Sequence, residues 1–512
     1  MAPTSTALNT SSSTESTSST HSIEHLISDR AKNRSFKHFA ANADENAPKN
    51  FKPHPKPLAL SFGRPNAQFF PVKKITVELD HYPFQDTIFE NEVIEEQDLV
   101  VIDKFPTDKN DLGAGEALQY GDVSGLPNFQ KFLREFVETI HKPANSEWAI
   151  TATNGSGEGL NKVADALINP GDIVLFEEFT FSPFGNNVRN VGGITVPIKL
   201  NFKATEGADI DIKYLSHLLD NWNDIYPEYK DRKPKAFYTI PTCQNPTGLT
   251  QSTATRKAIY DLASKHDFII LEDDPYGYLT LPPFQKPNKE TLVSENSLQI
   301  DDYLENHLPK SYLQFDTEGR VIRIETFSKV FAPGLRLGFL VANKKIVEVV
   351  KKYSSIVTRA PSGPSQLILL NVIQQRFGGI KGWLQWILRM RLAYAHRRNV
   401  LIDSIVSSSA YEKEYIKVIS CDAGMFASLL VNFPEGTTDI VDKINLLNYK
   451  FLEKGVTVVL GHKMSVNPEF SEPNANFLRL SYAPLDKDEE LTEAGKRLGE
   501  AVEEFFENGF TY

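Results

Sequence analysis

From Ala149 to Ala342 the sequence alternates short apolar runs with longer segments of helical period, and no other feature narrows the fold as much. The runs are Ala149-Ile150-Thr151-Ala152-Thr153, Ile173-Val174-Leu175-Phe176-Glu177, Ile194 to Ile198, Ala236 to Ile240, Phe268-Ile269-Ile270-Leu271-Glu272, Val321-Ile322-Arg323-Ile324 and Phe339-Leu340-Val341-Ala342. Between them, Glu158 to Ile168 and Ser252 to His266 read as helices. Continuous apolar strands separated by helices are buried on both faces and pair in parallel, so an α/β domain with a largely parallel sheet is expected. Asn128 to Ile140 reads as an amphipathic helix ahead of this domain, and a long helical region runs from beyond Ser365 to roughly Ile405. An α+β pattern follows: strands near Gly424 to Val431, Val456 to Leu460 and Phe477 to Tyr482, a helix over 438–454, and a closing helix. A chain of 512 residues can bury a large core and is expected to build two subdomains.

Composition removes several function classes. A net charge of −11 argues against a nucleic-acid partner, and no apolar run is long enough to span a membrane. Two cysteines, Cys243 and Cys421, make a disulfide framework implausible and predict free thiols in a reducing compartment. The first 20 residues are almost all Ser, Thr, Ala and Asn, which cannot bury enough apolar surface to order themselves. That stretch has no Arg or Lys and carries Glu15, unlike a mitochondrial presequence, so a cytoplasmic protein is expected. A disordered leader is predicted over 1–33, then a mixed, Pro-rich arm and an acidic, irregular stretch over 85–112. Residues 281–315 read as an insertion.

Chemistry concentrates in the segment Glu325 to Gly338, E-T-F-S-K-V-F-A-P-G-L-R-L-G. Lys329 sits in a loop between two predicted strands, flanked by Thr326 and Ser328, with Arg336 behind a Pro-Gly turn. Small hydroxyls and an arginine fork suit a phosphate, and a lysine that captures an aldehyde cofactor needs a fixed position beside such a site. Elsewhere Asn154-Gly155-Ser156-Gly157 opens a helix, a start that offers backbone N–H groups to an anion. Asp273 ends an apolar strand, where a carboxylate demands a partner. Asn245 lies on the Asn-Pro-Thr-Gly turn. Each has an ordinary reading alone: a capped helix, a core salt bridge, turn chemistry, a surface lysine. These pieces fall at C-terminal ends of predicted parallel strands, where open α/β sheets bind ligands.

Together the segments L-Q-Y-G at 118–121, N-G-S-G-E-G-L at 154–160, Q-N-P-T-G at 244–248, E-D-D-P-Y-G-Y-L at 272–279, the run from Asp316 to Lys329, A-P-G-L-R-L-G at 332–338, A-G-M-F at 423–426 and F-L-R-L-S-Y-A at 477–483 resemble the fold type I pyridoxal-phosphate aminotransferases of class I/II. The resemblance covers roughly residues 60 to 505 and is greatest to the fungal aromatic amino acid aminotransferases. It implies a large cofactor domain with a mostly parallel seven-stranded sheet over 115–370. A smaller α+β domain would combine 371–512 with part of 34–114. It further implies that Lys329 carries pyridoxal 5′-phosphate and shuttles the substrate proton, and that Asp273 keeps the pyridine nitrogen protonated. Tyr276 and Asn245 would contact the phenolic oxygen, Phe181 would stack on the ring, and Ser156, Gly157, Thr326, Ser328 and Arg336 would form the phosphate cup. Tyr120 would reach the phosphate of a neighbouring subunit, which implies a homodimer. Arg479 would grip the substrate carboxylate, with Gly63 and Asn245 beside it. No metal is implied.

The resemblance implies ping-pong transamination between aromatic amino acids and 2-oxo acids such as 2-oxoglutarate. An aminoadipate- or kynurenine-preferring enzyme on the same scaffold is the alternative. Two departures bear on substrate: Phe62-Gly63-Arg64-Pro65 stands where many relatives have Gly-Gly before an apolar residue and Pro, and Leu460-Gly461 where Pro-Gly is common. Arg64 could face a distal carboxylate or stand solvated at a domain edge. Phe181, Met425 and Phe426 could supply apolar walls.

Overall fold

The computed structural model describes residues 22–35, 63–80, 99–108, 111–201, 209–287, 298–419 and 422–512, with scattered positions between 48 and 60. Strands β1 (Lys74–Glu78) and β2 (Leu99–Asp103) form an antiparallel pair. Strand β2 lies within the stretch expected to be irregular; Val100 and Ile102 alternate inward and are buried, a period-2 signal masked by the acidic residues before it.

Next come β3 (Trp148–Thr153), β4 (Ile173–Glu177) and β5 (Ile194–Ile198), then a short antiparallel ladder of β6 (Leu200–Asn201) with β7 (Asp209–Ile210). Strands β8 (Pro234–Thr239), β9 (Ile269–Asp273), β10 (Val321–Thr326) and β11 (Gly338–Asn343) complete the main sheet. Its order is β3-β11-β10-β9-β8-β4-β5, and only β11 runs against its neighbours. This is the α/β, mostly parallel sheet expected from the alternating pattern, with the seven strands that the resemblance implies. The strands β4, β9 and β10 are buried at every position, as helices on both faces require.

A second sheet of β12 (Ile416–Ile419), β13 (Phe426–Val431), β14 (Val459–Leu460) and β15 (Phe477–Ser481) has the order β12-β13-β15-β14 and is antiparallel throughout. The 27-residue helix Ile380–Val406 and the helix Asp488–Glu507 pack together, close enough that Gly495 and Gly499 meet Ser404 and Ser408.

One expectation about the ends of segments changes. Residues 22–33 were assigned to a disordered leader, yet Ile23, Leu26, Ile27 and Ala31 are buried. Arg30 and Arg34 both pair with Asp165, at 2.9 Å and 2.7 Å, on the helix Ser156–Leu167. A four-residue apolar face and two cations order a segment that composition averaged over 33 residues conceals. Residues 1–21 lie outside the described residues. Cys243 is buried, as expected; Cys421 lies outside the described residues.

Candidate active site

Five strand ends of the main sheet converge. The helix Ser156–Leu167 starts three residues after β3, Phe181 follows β4, Asn245 follows β8, Asp273 closes β9 and Lys329 lies three residues after β10. Those strands share one direction, so their C-terminal ends open on one crevice.

Lys329 is held from both sides in sequence. Phe327 is buried against Phe129, Phe339 and Trp383, with ring centroids 5.9–6.2 Å away, and the indole N–H of Trp386 donates to the Val330 carbonyl at 3.0 Å. The lysine itself is half-buried. Burial, with Arg479 and Arg336 nearby, pushes its amine below the usual lysine value. An amine so placed is readier to be a neutral nucleophile than a surface lysine.

Asp273 is only 4% exposed. Its Oδ2 accepts the Tyr238 hydroxyl at 2.6 Å, while Oδ1 has no hydrogen-bond partner among the described residues. Burial pushes this carboxyl up to about 7, although the Tyr238 bond works the other way. Behind it Arg323 pairs with Glu272 at 2.6 Å, Asp274 at 3.1 Å and Glu325 at 2.6 Å, all buried. Burial opposes ionisation of Glu325, but Arg323 and a bond from His141 hold its carboxyl down at about 2. Sequence reasoning singled out neither Tyr238 nor this network. The signal available was charge inside apolar strands: Glu272 and Arg323 face each other across β9 and β10.

The hydroxyls and the arginine expected at an anion site are together. Thr326 donates to Ser328 Oγ at 2.9 Å, and Arg336 Nη1 donates to the same oxygen at 3.4 Å and to the Pro333 carbonyl at 2.9 Å. The Arg336 guanidinium also lies over Gly155: a Cβ there would sit 2.5 Å from Nη2. That brings Arg336 to the start of the helix Ser156–Leu167, beside Ser156 and Gly157, where a Cβ on Gly157 would meet nothing within 4 Å. A twelve-residue helix start with open space above it and a guanidinium alongside suits a phosphate.

Arg479, on β15, donates to Asn245 Oδ1 at 2.6 Å and lies 4.3 Å over the Phe426 ring. Its Nε has no partner among the described residues. Phe426 in turn packs edge-on against Tyr276, 5.5 Å between centroids, and burial raises the Tyr276 phenol well above its ordinary value. Gly424, at φ 72°, lets the segment before β13 pass against Cys243 and Tyr276, where a side chain would collide with the thiol. The second sheet thereby closes one side of the crevice with Arg479 and Phe426. Phe181 is half-buried at the start of the helix Ser182–Asn190.

Gly63 and Tyr120 form a separate, exposed group. Arg64 Nη2 donates to the Tyr120 carbonyl at 3.2 Å, and Gln119 to the Pro65 carbonyl at 2.7 Å. The Tyr120 side chain is 75% exposed. The Arg64 guanidinium thus braces a neighbouring loop.

Comparison with known proteins agrees with this arrangement. The family described as aminotransferase class I and II matches residues 85–498. Aromatic amino acid aminotransferase 2 of Saccharomyces cerevisiae is 36% identical over 514 residues, which cover 94% of this chain and 96% of that protein. Among solved structures, the aromatic aminotransferase Aro9 from C. albicans superposes with a TM-score of 0.88 at 48% identity, covering 96% of this chain and 100% of that one. Aminotransferase Aro8 from Candida albicans has a TM-score of 0.81 at 28% identity, covering 95% of this chain and 99% of that one.

Proposed function

The chain belongs to the class I and II aminotransferases, and on that footing we propose that it moves the amino group of an aromatic amino acid to a 2-oxo acid, using pyridoxal 5′-phosphate. The observation that carries the cofactor reading is the unpartnered, buried Oδ1 of Asp273 in the same crevice as a lysine of depressed basicity. A buried carboxylate oxygen without a donor is costly, and a pyridine N–H is the donor it lacks. Bound here, pyridoxal phosphate supplies the electron sink that loosens the substrate Cα–H bond and the carrier for the amino group.

The protein's own groups then divide the work. Lys329 would hold the cofactor's aldehyde group and would take the substrate Cα proton on Nζ. Its low basicity suits a base that must be neutral at pH 7. Asp273, held by Tyr238, keeps the ring nitrogen protonated by staying ionised beside it. Ser156, Gly157, Thr326, Ser328 and Arg336 would hold the phosphate, and Tyr276 and Asn245 would contact the phenolic oxygen. Arg479 binds the substrate carboxylate through its guanidinium fork, with Asn245 alongside. Phe181 covers the cofactor ring, and Phe426 and Met425 offer an apolar wall to an aromatic side chain. Tyr120, exposed in one chain, completes the phosphate site of a second copy, so the working unit is a homodimer. The aromatic substrate rests on the 36% and 48% identities to proteins named for that activity. A cytoplasmic location is proposed from the two cysteines, a number that suits a reducing compartment.

The test is single-turnover spectroscopy of the cofactor-loaded protein, mixed in turn with phenylalanine, tryptophan, 2-aminoadipate, kynurenine and glutamate. Phenylalanine or tryptophan should bleach the visible band fastest, and Lys329→Ala should lack both that band and turnover. Faster bleaching by 2-aminoadipate or kynurenine would reassign the substrate. Folded protein with no visible band after incubation with pyridoxal phosphate would overturn the reading.

A further inference from the structure

The turn that carries Asn245 hangs from one buried carboxylate. Glu177 closes β4 and is 1% exposed. Its Oε1 accepts from the Thr239 hydroxyl at 2.7 Å and from Gln251 Nε2 at 3.3 Å. Its Oε2 accepts from Gln244 Nε2 at 2.8 Å and from the Ile240 N–H at 3.4 Å. All four donors are uncharged, so the group is satisfied without an ion pair. Burial pushes its carboxyl up to about 7, with Thr239 and Gln244 pulling the other way.

Gln244 passes this restraint on. Its Nε2 also donates to the Phe179 carbonyl at 2.6 Å, and its Oε1 accepts both the N–H and the hydroxyl of Thr247, at 2.9 and 2.6 Å. Its backbone N–H donates to the Leu249 carbonyl and its carbonyl accepts from Gly248. Asn245 therefore sits between fixed points at 244 and 247, and its Oδ1 meets Arg479 at 2.6 Å. The Phe179 bond reaches the other wall. Two residues on is Phe181, and the Thr180 N–H donates to the carbonyl of Met464, whose Sδ lies 3.9 Å from Arg479 Nη1. One carboxylate thus cross-links the ends of β4 and β8 to both segments that flank Arg479.

Only an acceptor can fill this place. A glutamine at 177 would turn its amide N–H₂ either on the Gln244 amide or on the Thr239 and Gln251 donors, losing at least one bond in a site closed to water. We propose that Glu177 is a positioning residue of the reaction: acting through Gln244, it sets where the Asn245 carboxamide and the Arg479 guanidinium stand, and so how tightly the site holds a substrate carboxylate. This rests on the reading of Arg479 as the carboxylate site. Glu177 itself touches neither substrate nor cofactor.

The experiment uses the full chain loaded with pyridoxal phosphate. Glu177→Gln should raise KM for donor and acceptor about tenfold while kcat changes by less than about threefold, the signature of lost uniform binding. The Kd of 3-phenylpropionate, which has the carboxylate and the ring but no amino group, should rise by a similar factor when read from the visible band. If Glu177→Gln lowers Tm yet leaves KM and Kd at wild-type values, the proposal is wrong. Should Glu177→Gln not accumulate folded, Thr247→Ala carries the same test, with about a threefold rise in KM expected and an unchanged KM decisive against. Wild-type protein without a visible band or turnover would instead sink the transaminase reading, and this proposal with it.

Discussion

Asp273 is the side chain with most at stake, because its carboxyl is carried from 3.8 up to about 7 by burial. Between those values the folded protein holds a proton that the unfolded chain has released, so stability falls as pH rises through that window. The cost is absent below 3.8 and fully felt above 7. Glu177 acts in the same sense from 4.5 to about 7, whereas Glu325, held at about 2, acts only below 4.5. Each unit of displacement is worth about 1.4 kcal/mol. Cofactor-free protein should therefore lose Tm steadily between about pH 4 and pH 7, and Asp273→Asn should lessen that slope. Thermal unfolding of both proteins across the range checks this; equal slopes would mean that Asp273 is not the group titrating. The sequence marks Asp273 plainly, since a carboxylate ending an apolar strand stands out. It is silent about Tyr238, because an aromatic inside a strand is ordinary and only the pairing of β8 with β9 brings its hydroxyl to Asp273.

At the scale of elements, two joints govern the crevice. The β10–β11 hairpin carries Lys329 and Arg336, and it closes by pairing Thr326 with Gly338. A Cβ on Gly338 would stand 2.5 Å from the Glu325 carbonyl and 3.2 Å from the Gly155 carbonyl carbon. Both obstacles are backbone, so Gly338→Ala should cost about 2–3 kcal/mol, the usual penalty of overpacking. It should also loosen cofactor retention, measured by dialysis and absorbance, because the hairpin and the helix start move apart. The second joint is the docked segment 22–35. Asp165→Ala strips Arg30 and Arg34 of their shared partner on the helix whose other end is Ser156. Arg34 and Asp165 are largely buried, so a loss of about 2 kcal/mol in denaturant unfolding is expected, between the values for exposed and buried pairs. The helix periods and the strand runs of the main sheet were readable from the chain. The docked segment was not, because four inward residues among 33 leave no composition signal.

For the whole molecule, large apolar side chains left in water are informative. Tyr120 is 75% exposed, Phe69 83%, and Leu58 and Leu60 more still, all in the arm and the loop that Arg64 braces. A monomer rarely leaves such a group uncovered, and the proposed homodimer would cover it. Sedimentation should give twice 57.5 kDa. Tyr120→Ala should weaken cofactor affinity about tenfold, the worth of roughly one hydrogen bond to a charged group, without splitting the dimer. A monomer of wild-type activity would remove Tyr120 from the site.

Local pattern determined most of what kind of protein this is. Apolar runs of strand length, helical periods between them, and short motifs at their junctions are properties of neighbouring residues, so the chain displays them before it folds. Lys329, Asp273, Asn245 and Arg336 were legible for that reason: each stands at the end of an element whose type its own neighbours dictate. Which strand lies beside which was decided only by the tertiary structure. The order β3-β11-β10-β9-β8-β4-β5 brings Arg323 against Glu272, Tyr238 against Asp273 and Glu177 against Gln244. These contacts span 35 to 67 residues, and they exist because burial forces each polar group to find a partner wherever the packed sheet supplies one.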